Sequence, residues 1–115
     1  EHARAAHDVM MNQNKLLTLI PLPTLEADHP DFDPKKGYWR GPVWIDQFHF
    51  GIAGLNRYGY RDAAKAMFDA LLTNGEGILD DRPLRENYHP MTGAGLNAIN
   101  FSWSAAHMLL MLLEM

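Results

Sequence analysis

Apolar residues recur at helical spacing in four stretches of the chain, and glycines and prolines separate these stretches. Side chains three or four positions apart share one helix face, so each stretch predicts an amphipathic helix. Strand-like alternation never lasts more than a few residues, which favours an all-α fold. The predicted helices run from the N-terminus to about Asn14, from Gly41-Pro42 to Gly59, from Arg61-Asp62 to Gly75, and from about Trp103 onward.

The last predicted helix is apolar on nearly every side. A helix of this kind is normally buried on most of its surface. Four helices in a chain of 115 residues cannot provide that cover, and the first residue is not methionine. We therefore expect the chain to be part of a larger domain and, in isolation, to expose apolar surface. The residues concerned are Ala105, Ala106, Met108, Leu109, Leu110, Leu112 and Leu113.

The connection between the third and fourth helices is long, from Ile78 to Asn100, and it contains Pro83, Pro90, Gly93 and Gly95. Long connections inside compact domains are uncommon unless they carry function. Short turns and long aromatic-rich loops alternate between the helices. This alternation is typical of helical hairpins around an axis, with function on the long-loop side.

Composition excludes several classes of function. The formal net charge is −4 and Lys and Arg form no cluster, which argues against nucleic acid as a partner. The chain has no cysteine and no His pair at metal-binding spacing, so no metal or other cofactor is predicted. The longest apolar run, Met108 to Leu113, is too short to span a bilayer. We expect a soluble protein, and both the cytoplasm and the periplasm fit.

Two segments contain residues suited to carbohydrate chemistry. The first, Tyr38 to Trp44, places aromatic rings and Arg40 together before a helix; rings stack on sugar C–H faces while a guanidinium binds hydroxyls. The second, Glu86-Asn87-Tyr88-His89-Pro90, holds one carboxylate among polar groups, as an acid or base in a cleft would be. Both also have ordinary interpretations, since tryptophans pack in cores and most glutamates are only solvated.

Three motifs together resemble glycoside hydrolase family 63, which includes processing α-glucosidase I and bacterial α-glucosidases. They are Tyr-Trp-Arg-Gly-Pro-Val-Trp at 38–44, Glu-Asn-Tyr-His-Pro-Met-Thr-Gly at 86–93 and Asn-Phe-Ser-Trp-Ser-Ala-Ala at 100–106. The resemblance implies that residues 1–115 are the C-terminal portion of a single (α/α)6-barrel catalytic domain. It also implies a sugar subsite formed by Trp39, Arg40, Gly41, Trp44, Tyr88, Phe101 and Trp103.

The resemblance further implies hydrolysis with inversion by two carboxyl groups, roughly 6.5–9.5 Å apart. Glu86 matches the general base, which activates water. The general acid, an aspartate in this family, has no counterpart in the chain. The implied substrate is an oligosaccharide or other α-glucoside, and the implied partner is the upstream portion of the same domain. This chain alone should therefore be inactive.

Two alternatives stay open. The first is a related hydrolase with the same barrel, such as a mannosylglycerate hydrolase or a trehalase. The second is a non-catalytic sugar-binding helical module, which would keep the aromatic residues without depending on Glu86.

Overall fold

A computed structural model describes residues 1–114, which form four helices and one antiparallel β-hairpin. The hairpin lies within the long connection where function was expected. The fold is mostly helical, so the all-α prediction needs one correction: part of the predicted loop is a two-stranded sheet. The elements are α1 (His2–Met10), α2 (Ile45–Arg57), α3 (Arg61–Asn74), β1 (Arg85–Tyr88), β2 (Gly95–Ile99) and α4 (Ser102–Glu114).

Helix α2 lies at the centre, packed against α3 on one side and α4 on the other. Its apolar stripe at Phe48, Ile52 and Leu55 is buried, as the periodicity predicts. On α3, Met67 and Leu71 are fully buried. The hydrophobic core therefore centres on these three helices, and Ile20, Val43 and Tyr88 from outside them complete it.

The β-hairpin was not predicted, because both strands are short and β1 is too polar to show a two-residue period. Pairing is irregular between Arg85 and Asn87, which face Ile99 and Leu96 on the other strand. Between these two pairs β1 advances by two residues and β2 by three, so β2 contains one extra residue. Such a β-bulge is common beside active sites. Glu86 is the β1 residue at this irregularity.

Hydrogen bonds fix the hairpin to the helical core. The N–H and C=O of Val43, just before α2, bond those of Tyr88 at 2.9 and 3.0 Å. The Ser104 hydroxyl on α4 donates to the carbonyl oxygen of Arg85 at 2.7 Å. The strand that carries Glu86 is therefore held between the start of α2 and the start of α4.

Helix α4 buries only one of its faces, through Ser104, Met108 and Met111. Its other apolar residues are exposed, in line with the expectation of uncovered apolar surface: Leu109 58%, Leu110 43%, Leu112 57% and Leu113 76% exposed. The (α/α)6 barrel stays a prediction, since residues 1–114 contain only four helices. None of the helices in this range is both long and apolar enough to cross a membrane.

Candidate functional site

Glu86 lies at the surface of the hairpin with both carboxylate oxygens hydrogen-bonded. The Tyr38 hydroxyl donates to Oε2 at 2.5 Å, and the Ala98 backbone N–H donates to Oε1 at 3.2 Å. The side chain is only half-buried, so water can reach it. A carboxylate that is oriented on two sides and still reachable by water can serve as a general base.

The segment that carries Tyr38 is tightly wound and closed at its base. The Asp33 N–H donates to the Arg40 carbonyl at 2.8 Å, and the Gly37 N–H donates to the Asp33 carbonyl at 3.1 Å. A Cβ on Gly37 would approach the Asp33 carbonyl oxygen to 2.5 Å, so only glycine fits there. This close packing gives Tyr38 and Trp39 a fixed position at the loop tip.

Five aromatic rings form a continuous cluster that reaches Glu86 through Tyr38, whose ring lies 4.8 Å from that of Trp44. Trp39 stacks on Trp44 with ring centroids 3.8 Å apart and planes 5° from parallel. Trp103 meets Trp44 edge-on at 5.6 Å, and Phe101 lies 6.1 Å from Trp103. Trp44 is buried at 3% exposure, whereas Trp39 and Trp103 are 45% and 42% exposed. The cluster therefore offers two open indoles, supported by a buried one.

Two predicted subsite residues have structural roles. Tyr88 is fully buried, and its hydroxyl accepts the Arg85 backbone N–H at 3.0 Å. Gly41 is buried too, and its N–H donates to the Thr24 hydroxyl at 3.1 Å. Neither offers an open surface in the described part of the chain, where both support the loops, and their contact with substrate stays a prediction. Trp44, also buried, supports Trp39 and does not form an open face.

Arg40 follows Trp39 in the chain but is not part of the aromatic cluster. Its side chain is exposed at the base of the loop. Among the described residues, no hydrogen bond joins its guanidinium to Glu86 or to the aromatic rings. Its charge acts on Asp33, whose pKa is lowered mainly by the N–H groups of Lys36 and Lys35 and to a smaller extent by Arg40.

Sequence reasoning did not single out Tyr38 or the Ala98 N–H as partners of Glu86. Tyr38 stands in the quoted Tyr-Trp-Arg-Gly motif, which is the only signal that could have pointed to it. Its contact with Glu86 joins positions 48 residues apart and depends on loop geometry. The hydrogen bond to Glu86 is also the main cause of the raised pKa of Tyr38, with burial and the carboxylate charge adding to it. The hydroxyl therefore keeps its proton at neutral pH and acts as the donor.

Comparison with known proteins points to one family. Residues 1–104 match the family described as "Mannosylglycerate hydrolase MGH1-like glycoside hydrolase domain". A mannosylglycerate hydrolase of Thermus thermophilus is 40% identical over 86 residues, which are 74% of this chain and 19% of that protein. A glucosylglycerate hydrolase of Mycolicibacterium hassiacum is 32% identical over 90 residues, 76% of this chain and 19% of that protein.

Solved structures agree with the sequence comparisons. The structure of a family 63 mannosylglycerate hydrolase from Thermus thermophilus, in complex with Tris and D-glycerate, matches with a TM-score of 0.76 and 30% identity. The match covers 97% of this chain and 27% of that one. The chain thus spans about a fifth to a quarter of the length of these relatives.

Proposed function

Because the chain belongs to the mannosylglycerate hydrolase MGH1-like family of glycoside hydrolases, we propose that it is part of an enzyme that hydrolyses a hexosylglycerate. The substrate class comprises mannosylglycerate and glucosylglycerate. The observation that carries the proposal is the Glu86 carboxylate, held by two donors beside open tryptophan faces. The names of the relatives support glycerate as the group to which the sugar is linked in the substrate.

The α-glucosidase specificity that the sequence motifs suggested is replaced here by its alternative. Both named relatives reported above act, by their names, on a sugar linked to glycerate. Hydrolysis of a glycosidic bond is common to both interpretations. The difference lies in the leaving group, which is a small hydroxy acid in one case and a sugar in the other.

In the proposed mechanism, Glu86 accepts a proton from water as the water oxygen attacks the anomeric carbon. The bond from that carbon to the glycerate oxygen breaks, and a carboxylic acid outside this chain gives a proton to the leaving oxygen. Attack from the face opposite the leaving group inverts the anomeric configuration, which requires roughly 6.5–9.5 Å between the two carboxyl groups. The proposed base is the half of the pair that this chain supplies.

The open faces of Trp39 and Trp103 would stack on the C–H faces of the substrate, with Phe101 beside them. Arg40 adds an exposed cation next to Trp39, and a guanidinium matches the two oxygens of a carboxylate such as that of glycerate. These residues would bind and orient the substrate, and Glu86 would do the chemistry.

The partner proposed for this chain is the remaining part of the same catalytic domain, which would carry the acid aspartate. The exposed leucines of α4 give that part an apolar surface to cover. Contiguous exposed apolar patches are uncommon on monomer surfaces and mark sites of contact. The barrel predicted from the sequence motifs would bury them against neighbouring helices.

The test uses the complete enzyme, with Glu86→Gln compared with Glu26→Gln, a surface carboxylate paired with Lys15. Mannosylglycerate, glucosylglycerate, trehalose and α-linked glucose disaccharides are offered, and proton NMR follows the first anomer released. We expect turnover of a hexosylglycerate with inversion, a loss of about 10²–10⁴-fold in Glu86→Gln, and little change in Glu26→Gln.

Other outcomes separate the alternatives. Preferred cleavage of trehalose or of glucose disaccharides would overturn the substrate class. Retention of configuration, or full activity of Glu86→Gln, would overturn the mechanism. Binding of sugar with no turnover of any substrate would favour the non-catalytic module.

A further inference from the structure

The carboxylate of Glu86 is restrained by groups from two separate parts of the fold. One oxygen accepts the Ala98 N–H from the facing strand, and the other accepts the Tyr38 hydroxyl from the loop before α2. With one donor on each oxygen, the carboxylate plane can no longer rotate freely. A carboxylate oxygen has two lone pairs, so each retains one for a water molecule.

Tyr38 is itself held in an unfavourable backbone conformation. Its φ is +60°, in the left-handed region that non-glycine residues rarely adopt. The Trp44 indole N–H donates to its carbonyl oxygen at 2.8 Å, and its ring packs edge-on against Trp44 at 4.8 Å. Strain of this kind persists only where the surroundings impose it, and it is concentrated at functional sites.

The contact contributes little to stability in this chain. Tyr38 is 44% exposed and Glu86 is half-buried, so water competes for the hydrogen bond between them and weakens it. The contacts with Trp44 account for the backbone conformation of Tyr38, but the placing of its hydroxyl on Glu86 needs a further reason. It is explained if the position of the hydroxyl matters for the group it touches.

We propose that Tyr38 is a positioning residue for the general base: its hydroxyl fixes the Glu86 carboxylate in the orientation from which it takes the proton of the attacking water. The proposal rests on the role proposed above for Glu86. Tyr38 is neutral and a donor at working pH, so the proton accepted from water goes to Glu86 and not to the phenol. No covalent bond to Tyr38 forms or breaks.

The experiment compares Tyr38→Phe, Glu86→Gln and the double variant in the complete enzyme, on whichever substrate the wild type cleaves. Phenylalanine keeps the ring on Trp44 and removes only the hydroxyl, so the loop should fold unchanged. We expect kcat to fall by about 10- to 100-fold, the effect of slight misplacement of a catalytic group, with KM within about twofold of wild type. Tyr58→Phe, in a tyrosine 66% exposed just after α2, is the control and should match wild type.

The double variant separates positioning from direct contact with substrate. If Tyr38 acts through Glu86, its removal should change nothing further in the Glu86→Gln background, a non-additive cycle. A rise in KM with kcat unchanged, additive losses, or wild-type activity of Tyr38→Phe would each overturn the proposal. If Glu86→Gln is fully active, the proposed function has failed; if it is inactive and Tyr38→Phe is normal, only the positioning role has failed.

Discussion

The turn of the β-hairpin depends on Gly93, and replacing it with alanine should loosen the strand that carries Glu86. Gly93 has φ of +80°, and an added Cβ would lie 2.0 Å from the Asn74 carbonyl oxygen at the end of α3. The clash is with backbone, so no side-chain rotation relieves it. The Gly93 carbonyl also accepts the Glu76 N–H at 3.0 Å, and its N–H donates to the His89 carbonyl oxygen at 2.8 Å.

Two contributions determine how far Gly93→Ala lowers the free energy of unfolding: backbone conformation and steric clash. A left-handed conformation costs an L-residue about 1–2 kcal/mol. Forcing atoms into a packed space adds about 1–3 kcal/mol. Gly59 separates the two terms, because its φ is +88° and a Cβ there meets no atom within 4 Å. Gly59→Ala should therefore show only the conformational term, and Gly93→Ala should exceed it by about 1–3 kcal/mol.

Hydrogen exchange measured by mass spectrometry on the complete enzyme reports the local free energy of opening. An extra 1–3 kcal/mol corresponds to about 5- to 150-fold faster exchange in peptides covering residues 74–95. The rate in each variant is compared with that of wild type in the peptide around the substituted glycine. Hairpin exchange in Gly93→Ala within about twofold of wild type, or an equal effect at the two glycines, would refute the steric argument.

Two further predictions concern the supports of the hairpin. Ser104→Ala removes a buried donor to the Arg85 carbonyl oxygen and should cost about 1–3 kcal/mol; thermal unfolding checks this against Ser102→Ala at the exposed start of the same helix, and equal melting temperatures would contradict it. The pKa of His89 is lowered mainly by burial, so the unfolded chain binds more protons there and stability should fall as pH drops below about 6.5. His89→Asn keeps an acceptor for the Met91 N–H, and its melting temperature should fall less than that of wild type between about pH 7 and pH 5. If the melting temperatures of variant and wild type fall equally over that range, His89 is not the cause.

Much of the fold could be predicted from periodicity. The helices at Ile45–Arg57 and Arg61–Asn74 lie close to the predicted ranges, because a stripe of apolar residues three and four apart has only one efficient way to be buried. The first helix ends at Met10 and not near Asn14, where no such stripe continues. The family followed from three motifs in order, since each combines uncommon residue types at fixed spacing.

The β-hairpin could not be predicted in the same way. Arg85–Tyr88 has no apolar alternation, and it is a strand because Val43 and β2 supply partners for its backbone. The local sequence of β1 does not indicate those partners, because they come close to it only when α2 and α4 pack. The same reason explains Tyr88: it was predicted to contact substrate, but its side of β1 points into the core, where its side chain is fully buried.

The sequence by itself determined the kinds of chemical group present and the helices that carry them: a carboxylate at Glu86, tryptophans before α2 and at the start of α4, and no thiol. Only the tertiary structure decided which groups meet. It placed the Tyr38 hydroxyl on Glu86, left two tryptophans open and buried Trp44 beneath them. The physical reason is that residue type and spacing fix chemistry and helical faces, whereas contacts across 48 residues depend on how loops close around a packed core.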